Sequence, residues 1–289
     1  MDEIAEAPSG RGWRMLRHIP GKLRIGGGIV LLLIVLAILA PIVTMHSPTQ
    51  INVVERLSPP NAVFWFGTDE YGRDVFARVL HGGRLSLAMG FAATLITFLF
   101  GVPLGLIAGY VGGRLDGLLM RAMDVLMSFP PIMLGLLILA VTDPSLWKSI
   151  LAVGIVYVPV VVRLVRSRTM ELVHEEYILA ARARGEGLAY ILAREILPNA
   201  WPMIIVEASL RVTFAILLAA ALSFLGMGAQ PPSSDWGLMI SEARPFVNQA
   251  PWIALAPGFV MCIAVVGINL FGDGLREMLD PRLKSKGGA

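Results

Sequence analysis

The chain has 289 residues, of which 56% are hydrophobic and only 16% charged, with a mean hydropathy of +0.71 and a net charge of +3. Soluble domains carry about 25% charged residues, so this composition excludes an ordinary water-soluble enzyme or binding domain. The small positive charge requires no nucleic-acid partner, because basic loops gathered on one side of a membrane account for it.

The charges are unevenly placed. No Asp, Glu, Lys or Arg falls between Arg24 and Glu55, Arg84 and Arg114, Asp124 and Asp143, Arg211 and Asp235, or Arg244 and Asp273. Each gap can hold the roughly 20 apolar residues that a helix needs to cross a bilayer core. A shorter apolar stretch, Ser149–Val162, adds a sixth candidate if Arg163 snorkels to the interface. The expected fold is therefore all-α, a polytopic membrane protein of about six transmembrane helices in one domain. A cytoplasmic arm over 1–24 comes first. Spans follow near 25–45, 85–111, 118–142, 147–166, 204–226 and 252–272, within a transmembrane domain over 25–275. A tail over 276–289 ends the chain.

The first apolar run, Ile25–Val43, has basic residues ahead of it, as a signal peptide does. Its length and its lack of a small-residue cleavage site favour an uncleaved anchor. With six spans, most of the 24 Lys and Arg residues fall on the side that holds both ends of the chain. That side has the N-terminal arm, Arg114 and Arg121, the cluster from Arg163 to Arg194, and the tail. Arg56, Arg73, Arg78, Arg84, Lys148 and Arg244 fall on the other. The positive-inside bias then puts both termini and the Arg-rich loop in the cytoplasm. Two outer loops remain, Met45–Arg84 and Gly226–Pro251, where Trp65, Trp236 and Trp252 are candidates to mark the interface.

Within the spans, Gly101, Gly105 and Gly109 make a ladder of small residues that lets another helix approach closely. Pro103, Pro130-Pro131 and Pro159 are expected to bend or start helices. Glu207 with Arg211, and Asp124 with Arg121, have the spacing of helix-face pairs. Cys262, the one cysteine, reads as a small buried apolar residue. Nothing in the sequence suggests catalysis. It has no nucleotide-binding glycine loop, no metal-spaced cluster among His18, His46, His81 and His174, and no nucleophile elbow.

The segment 167–200 stands apart. His174–Arg184 favours a helix, Gly185 interrupts it, and a second helix is expected over Leu188–Ile196, ending near Pro198. Arg182, Arg184 and Arg194 rim the pair. Physical reasoning leaves two roles open: a dock for a cytoplasmic partner, or a basic segment lying on anionic headgroups.

This segment resembles the EAA loop of bacterial ATP-binding-cassette import permeases. Ala180, Ala181, Gly185, Leu197 and Pro198 match that pattern in register. Leu179 stands where the family carries an acidic residue, Glu195 where it carries the distal Ile, and Glu176 and Ile196 lie close by but out of register. Other stretches are similar to the dipeptide/oligopeptide/nickel permeases of the C-subunit type. They are Phe66-Gly67-Thr68-Asp69-Glu70-Tyr71-Gly72-Arg73-Asp74, Phe129-Pro130, Ser223-Phe224-Leu225-Gly226, Gln230-Pro231-Pro232 with Asp235-Trp236-Gly237, Gly272-Asp273-Gly274 and Asp280-Pro281.

The resemblance implies a type I importer permease that forms half of a translocation pore in the bacterial cytoplasmic (inner) membrane. Its partners would be a homologous B-type permease, two cytoplasmic ATPases, an extracytoplasmic substrate-binding protein and membrane lipid. The chain itself would bind no cofactor, and ATP and Mg would be used by the ATPases. Glu176, Leu179, Ala180, Ala181, Arg184, Gly185, Leu197 and Pro198 would form the coupling loop. Di- or oligopeptides are the expected cargo, with nickel or another small solute as the alternative. An ion-coupled secondary transporter is the competing class, against which the lack of a visible inverted repeat counts mildly.

Overall fold

The computed structural model describes residues 20–141 and 143–279. Most of the basic arm and most of the tail, including Asp280-Pro281, lie outside the described residues. The described chain is helical apart from its loops. Its long helices are α1 (Gly21–Val43), α2 (Val75–Val111), α3 (Gly113–Met127), α4 (Pro131–Leu139) and α5 (Leu146–Leu172). After the short α6 (Glu176–Ala183) come α7 (Leu188–Phe224), α8 (Trp236–Ala243) and α9 (Trp252–Leu279). Five of these are long and apolar enough to cross a membrane, and the bent pair α3–α4 brings the number to as many as six.

The expected continuous third span over 118–142 is broken. α3 and α4 meet at 91° across Ser128–Pro130. The cause is covalent: Pro130 and Pro131 both lack the N–H that would extend α3, and Pro131 instead takes the first position of α4, where that loss costs nothing. The fourth span, shortest in the sequence reading, is the full helix α5, and Pro159 sits inside it without ending it. The second span begins at Val75 rather than near 85, because Arg78 and Arg84 find partners inside the protein. Arg84 donates to the carbonyls of Ala37 and Ile38 on α1, each at 2.6 Å. Polar groups bonded in this way no longer mark a helix boundary.

Close helix approach organises the bundle. A Cβ placed on Gly101, Gly105 or Gly109 would lie 2.8, 2.7 or 2.6 Å from the Cβ of Val161, Val165 or Thr169, so the predicted ladder on α2 is the seam with α5. Ile96 of α2 is answered by Gly154 of α5 in the same seam. α1 lies against α9 through Gly26, Gly267 and Gly274, where a Cβ would meet Phe271, Ile29 and Leu23.

Three smaller expectations are corrected. Asp124 pairs not with Arg121 but with Arg163 of α5, at 2.6 Å. Trp236 is buried, its indole N–H donating to the carbonyl of Val79 at 3.0 Å, so it anchors α8 to α2 rather than marking an interface. Cys262 lies on the outer surface of the bundle, not in its core. Glu207 and Arg211 do pair, at 2.6 Å, and the guanidinium also stacks over Tyr157 and Phe214.

Candidate functional site

Two places gather the residues singled out by sequence, one at each end of the bundle. The first is the segment between α5 and α7. Three residues, Val173–Glu175, carry the chain from α5 into α6. α6 then closes with a glycine cap. Gly185 adopts φ +79°, its N–H donates to the carbonyl of Arg182 at 2.9 Å, and that of Glu186 donates to Ala181 at 3.2 Å. This double bond pattern around a left-handed residue is a Schellman motif. Open space surrounds the Gly185 α-carbon, so glycine is required there by backbone conformation and not by close packing.

The second helix of the segment does not end at Pro198, as the sequence suggested. α7 begins at Leu188 and continues to Phe224 through a π-helical stretch, Ile191–Ile196. Leu197 N–H reaches back five residues to the carbonyl of Leu192, and the Asn199 side-chain amide donates to the carbonyl of Glu195 at 2.7 Å. This wider turn, just before Pro198, accommodates a ring that would clash in a tight α-turn.

The two faces of α6 differ. Ile178 and Ala181 are fully buried and join Ile191, Ile196, Ala200, Val161, Val165 and Leu106 in one apolar cluster. On the other side Glu176, Leu179, Ala180 and Ala183 are exposed, at the i, i+3, i+4, i+7 spacing of a single stripe. Leu179 is half exposed. Arg182 donates to the Tyr110 hydroxyl at 3.1 Å and lies over that ring, tying the segment to the end of α2. Arg184 stands 3.6 Å from both Glu186 and Glu195, on the rim. Of the predicted residues, Ala181 and Gly185 therefore build the element. Glu176, Leu179 and Ala180 face outward, while Leu197 and Pro198 lie in the π-to-α transition of α7.

At the opposite end, Gly67–Asp74 forms a compact knot. Gly67 and Gly72 both have left-handed φ, +70° and +72°, and a side chain on Gly72 would collide with the carbonyl of Asn52. The Thr68 carbonyl accepts from the Trp252 indole at 3.2 Å. Asp69 is fully buried and accepts from Arg73 Nε and from an Arg78 guanidinium nitrogen, both at 2.6 Å, as well as from the backbone of Tyr71 and Arg73. Arg78 also donates to Glu242 of α8 at 2.8 Å. Asp74 caps α2 by accepting from Phe76 and Ala77 N–H, and it faces His46. Burial, and secondly the nearby Asp69 and Glu242 carboxylates, push the Glu70 carboxyl above the ordinary glutamate range, opposed by a backbone hydrogen bond and Arg73.

Sequence reasoning placed Arg78 on the outer side without a site role and passed over Glu242 and Ser86, whose hydroxyl donates to Asp235 at 2.8 Å. Arg78 had a signal in the sequence: an arginine set four residues beyond Asp74, where the charge-free second span was about to begin. Glu242 had none.

The third signature has a packing role. A Cβ on Gly272 would strike Ser209 of α7 and one on Gly274 would strike Leu23 of α1, while Asp273 between them is exposed. No cluster of three or more metal-ligating side chains occurs among the described residues.

Comparison with known proteins agrees with this architecture. Residues 101–285 match the family described as binding-protein-dependent transport system inner membrane component, and residues 10–60 match the N-terminal TM domain of oligopeptide transport permease C. The dipeptide transport system permease protein DppC of Alkalihalophilus pseudofirmus is 48% identical over 265 residues, 91% of this chain and 87% of that one. The di/tripeptide transport system permease protein DppC of Pseudomonas aeruginosa is 40% identical over 98% of this chain and 95% of its own. The glutathione transport system permease protein GsiD of Pectobacterium atrosepticum is 40% identical over 98% and 94%. An inward-facing structure of the MetNI methionine ABC transporter superposes at a TM-score of 0.60, with 19% identity, over 70% of this chain and 96% of that one, which is a likeness of fold. The chain belongs to the family of binding-protein-dependent transport system inner membrane components.

Proposed function

We propose that this chain is a permease subunit of an ATP-driven importer of di- or oligopeptides, contributing half of the translocation pore in the bacterial cytoplasmic membrane. Both termini and α6 face the cytoplasm in this reading. A homologous B-type permease supplies the other half, an extracytoplasmic binding protein delivers cargo, and two cytoplasmic ATPases bind ATP and Mg. The chain itself then carries no catalytic residue.

The observation that carries this reading is α6, a short helix slung between α5 and α7 with one stripe buried and the other free. A helix fixed by only three residues to α5, and by a glycine cap and Gly187 to α7, passes its displacement to both. Two ion pairs extend the path. Arg163 meets Asp124, and Arg166 grips both oxygens of Asp116 at 2.5 and 2.6 Å, so α5 carries α3 with it. ATP binding closes the ATPase pair, moves α6, and shifts the bundle between outward- and inward-facing states. Such a lever works only if the ATPases bind the two states unequally.

Peptide cargo is supported by the names of the relatives, of which the glutathione system adds a modified tripeptide as a second candidate. The test is purification of the complex from mild detergent, followed by ATP hydrolysis and peptide uptake in proteoliposomes. Co-purification of a second permease and ATPases, with uptake that requires ATP, is the expected result. Uptake that follows an ion gradient and persists without any ATPase would overturn it.

A further inference from the structure

An open cavity of about 530 Å³ lies beside the knot at the opposite end from α6, lined by Ile51, Val53, Arg56, Glu70, Tyr71, Glu242 and Phe246. Three carboxylates, Asp69, Glu70 and Glu242, meet two guanidiniums, Arg73 and Arg78, behind its wall. Both guanidiniums are largely consumed by Asp69 and Glu242. The one side-chain contact to Glu70 among the described residues is long, 3.3 Å from Arg73 to Oε1, and its Oε2 has no hydrogen-bond partner although the side chain is only 10% exposed. A buried carboxylate oxygen left without a donor is costly. Across the cavity Arg56 stacks on Phe246 and forms no ion pair among the described residues.

The rim is apolar and exposed. Ile51, Val53 and Tyr71 of the lining present large side chains outward, and their chain neighbour Val54 is 92% exposed. These residues lie in loops between the long helices, where an exposed apolar cluster marks a surface that another protein covers. A free peptide would use the charge but not so broad a rim.

We propose that this cavity receives a lysine or arginine side chain from the extracytoplasmic binding protein, which places its cationic end against Glu70 and Glu242 while the apolar rim seals the contact. This rests on the importer reading and gives the docking partner a definite chemistry. Glu70 is then a recognition residue, rigidly backed by the Asp69–Arg78 pair. Arg56 is positioned to meet a carbonyl or carboxylate flanking the incoming cation. An anchor side chain seated in a pocket and ringed by apolar contacts is the usual anatomy of a protein interface.

The experiment measures association of the companion binding protein with the complete transporter in nanodiscs, at low and at raised salt. Glu70→Gln removes the charge and keeps the shape, and is expected to weaken association about tenfold and to flatten its salt dependence. Val53→Trp fills the mouth of the cavity without touching the ionic knot and is expected to weaken association at both salt concentrations. Wild-type affinity and salt dependence in both variants would overturn the proposal. Loss of the second permease from the Glu70→Gln complex would also overturn it, by making the cavity a seam between subunits. So would unchanged docking with impaired uptake of free peptide, which would assign the site to a small amine. If the wild-type transporter shows no ATP-driven uptake, the importer reading itself fails, a result distinct from failure of Glu70 alone.

Discussion

Asp69 and Arg78 lie 2.6 Å apart with both side chains fully shielded from solvent, on a loop and a helix nine residues apart in sequence. Removing one partner of an isolated buried pair costs about 3–5 kcal/mol; here Arg73, also 2.6 Å from Asp69, keeps part of the compensation and holds the cost toward the lower end of that range. Arg78→Ala also leaves Glu242 with only its longer contact to Arg73, at 3.4 Å. We expect it to lower the thermal unfolding temperature of the purified complex markedly and to expose the 51–74 loop to protease. Arg163→Ala, which breaks a pair that is half exposed on both sides, is expected to cost less than about 1 kcal/mol. Equal destabilisation by the two variants would contradict this ordering.

The cap at Gly185 yields a graded series. A β-branched residue at φ +79° is strained, whereas asparagine tolerates that region. Gly185→Val is expected to lower ATP-driven uptake strongly at equal membrane abundance, and Gly185→Asn to retain most of it. Because the position has open space around it, the order should follow backbone preference and not side-chain volume. Uptake that tracks volume would show that packing, and not φ, sets the requirement.

The seam between α2 and α5 accepts no larger side chain at Gly105, where a Cβ would lie 2.7 Å from that of Val165. Overpacking a closed core costs about 1–3 kcal/mol. Gly105→Leu is therefore expected to lower thermal stability by that order, and Gly117→Leu, in open space, to change it little. Comparable melting curves for the two would contradict the packing seam.

Glu70 gives a pH dependence. Its carboxyl is pushed above its ordinary range, first by burial, so the fold favours the protonated form. The stability this contributes is fully present below the ordinary glutamate range and is lost as pH rises through the raised value. Glu70→Gln, which stays neutral throughout, should remove this loss, so wild-type and variant unfolding curves draw closer at acid pH and separate above it. A constant difference across that range would contradict it.

Much of the architecture was legible because charge avoidance in lipid is strict. The long charge-free stretches all became long apolar helices or the bent pair α3–α4, and the spacing of Gly101, Gly105 and Gly109 named a helix seam in advance. Helix ends were harder to read. Arg78 and Arg84 sit inside α2 because distant residues neutralise or bond them, which local spacing cannot reveal. Pro198 failed as a stop signal because the preceding π-turn makes room for it. At α6 the motif located the element, but the division between Ala181 inside and Leu179 outside needed the fold. Glu242, far along the chain from Asp69, was out of reach of any local pattern.

The central claim is that the outward stripe of α6 docks on an ATPase. Cys262→Ser removes the one native thiol, and Ala183→Cys then places a single thiol on that stripe. Crosslinking to single cysteines in the ATPase subunit, with and without ATP, tests the contact directly. A specific crosslink whose yield changes with ATP, in a transporter that still imports, is the predicted result. No crosslink to any ATPase surface position in an assembled, active complex would contradict it.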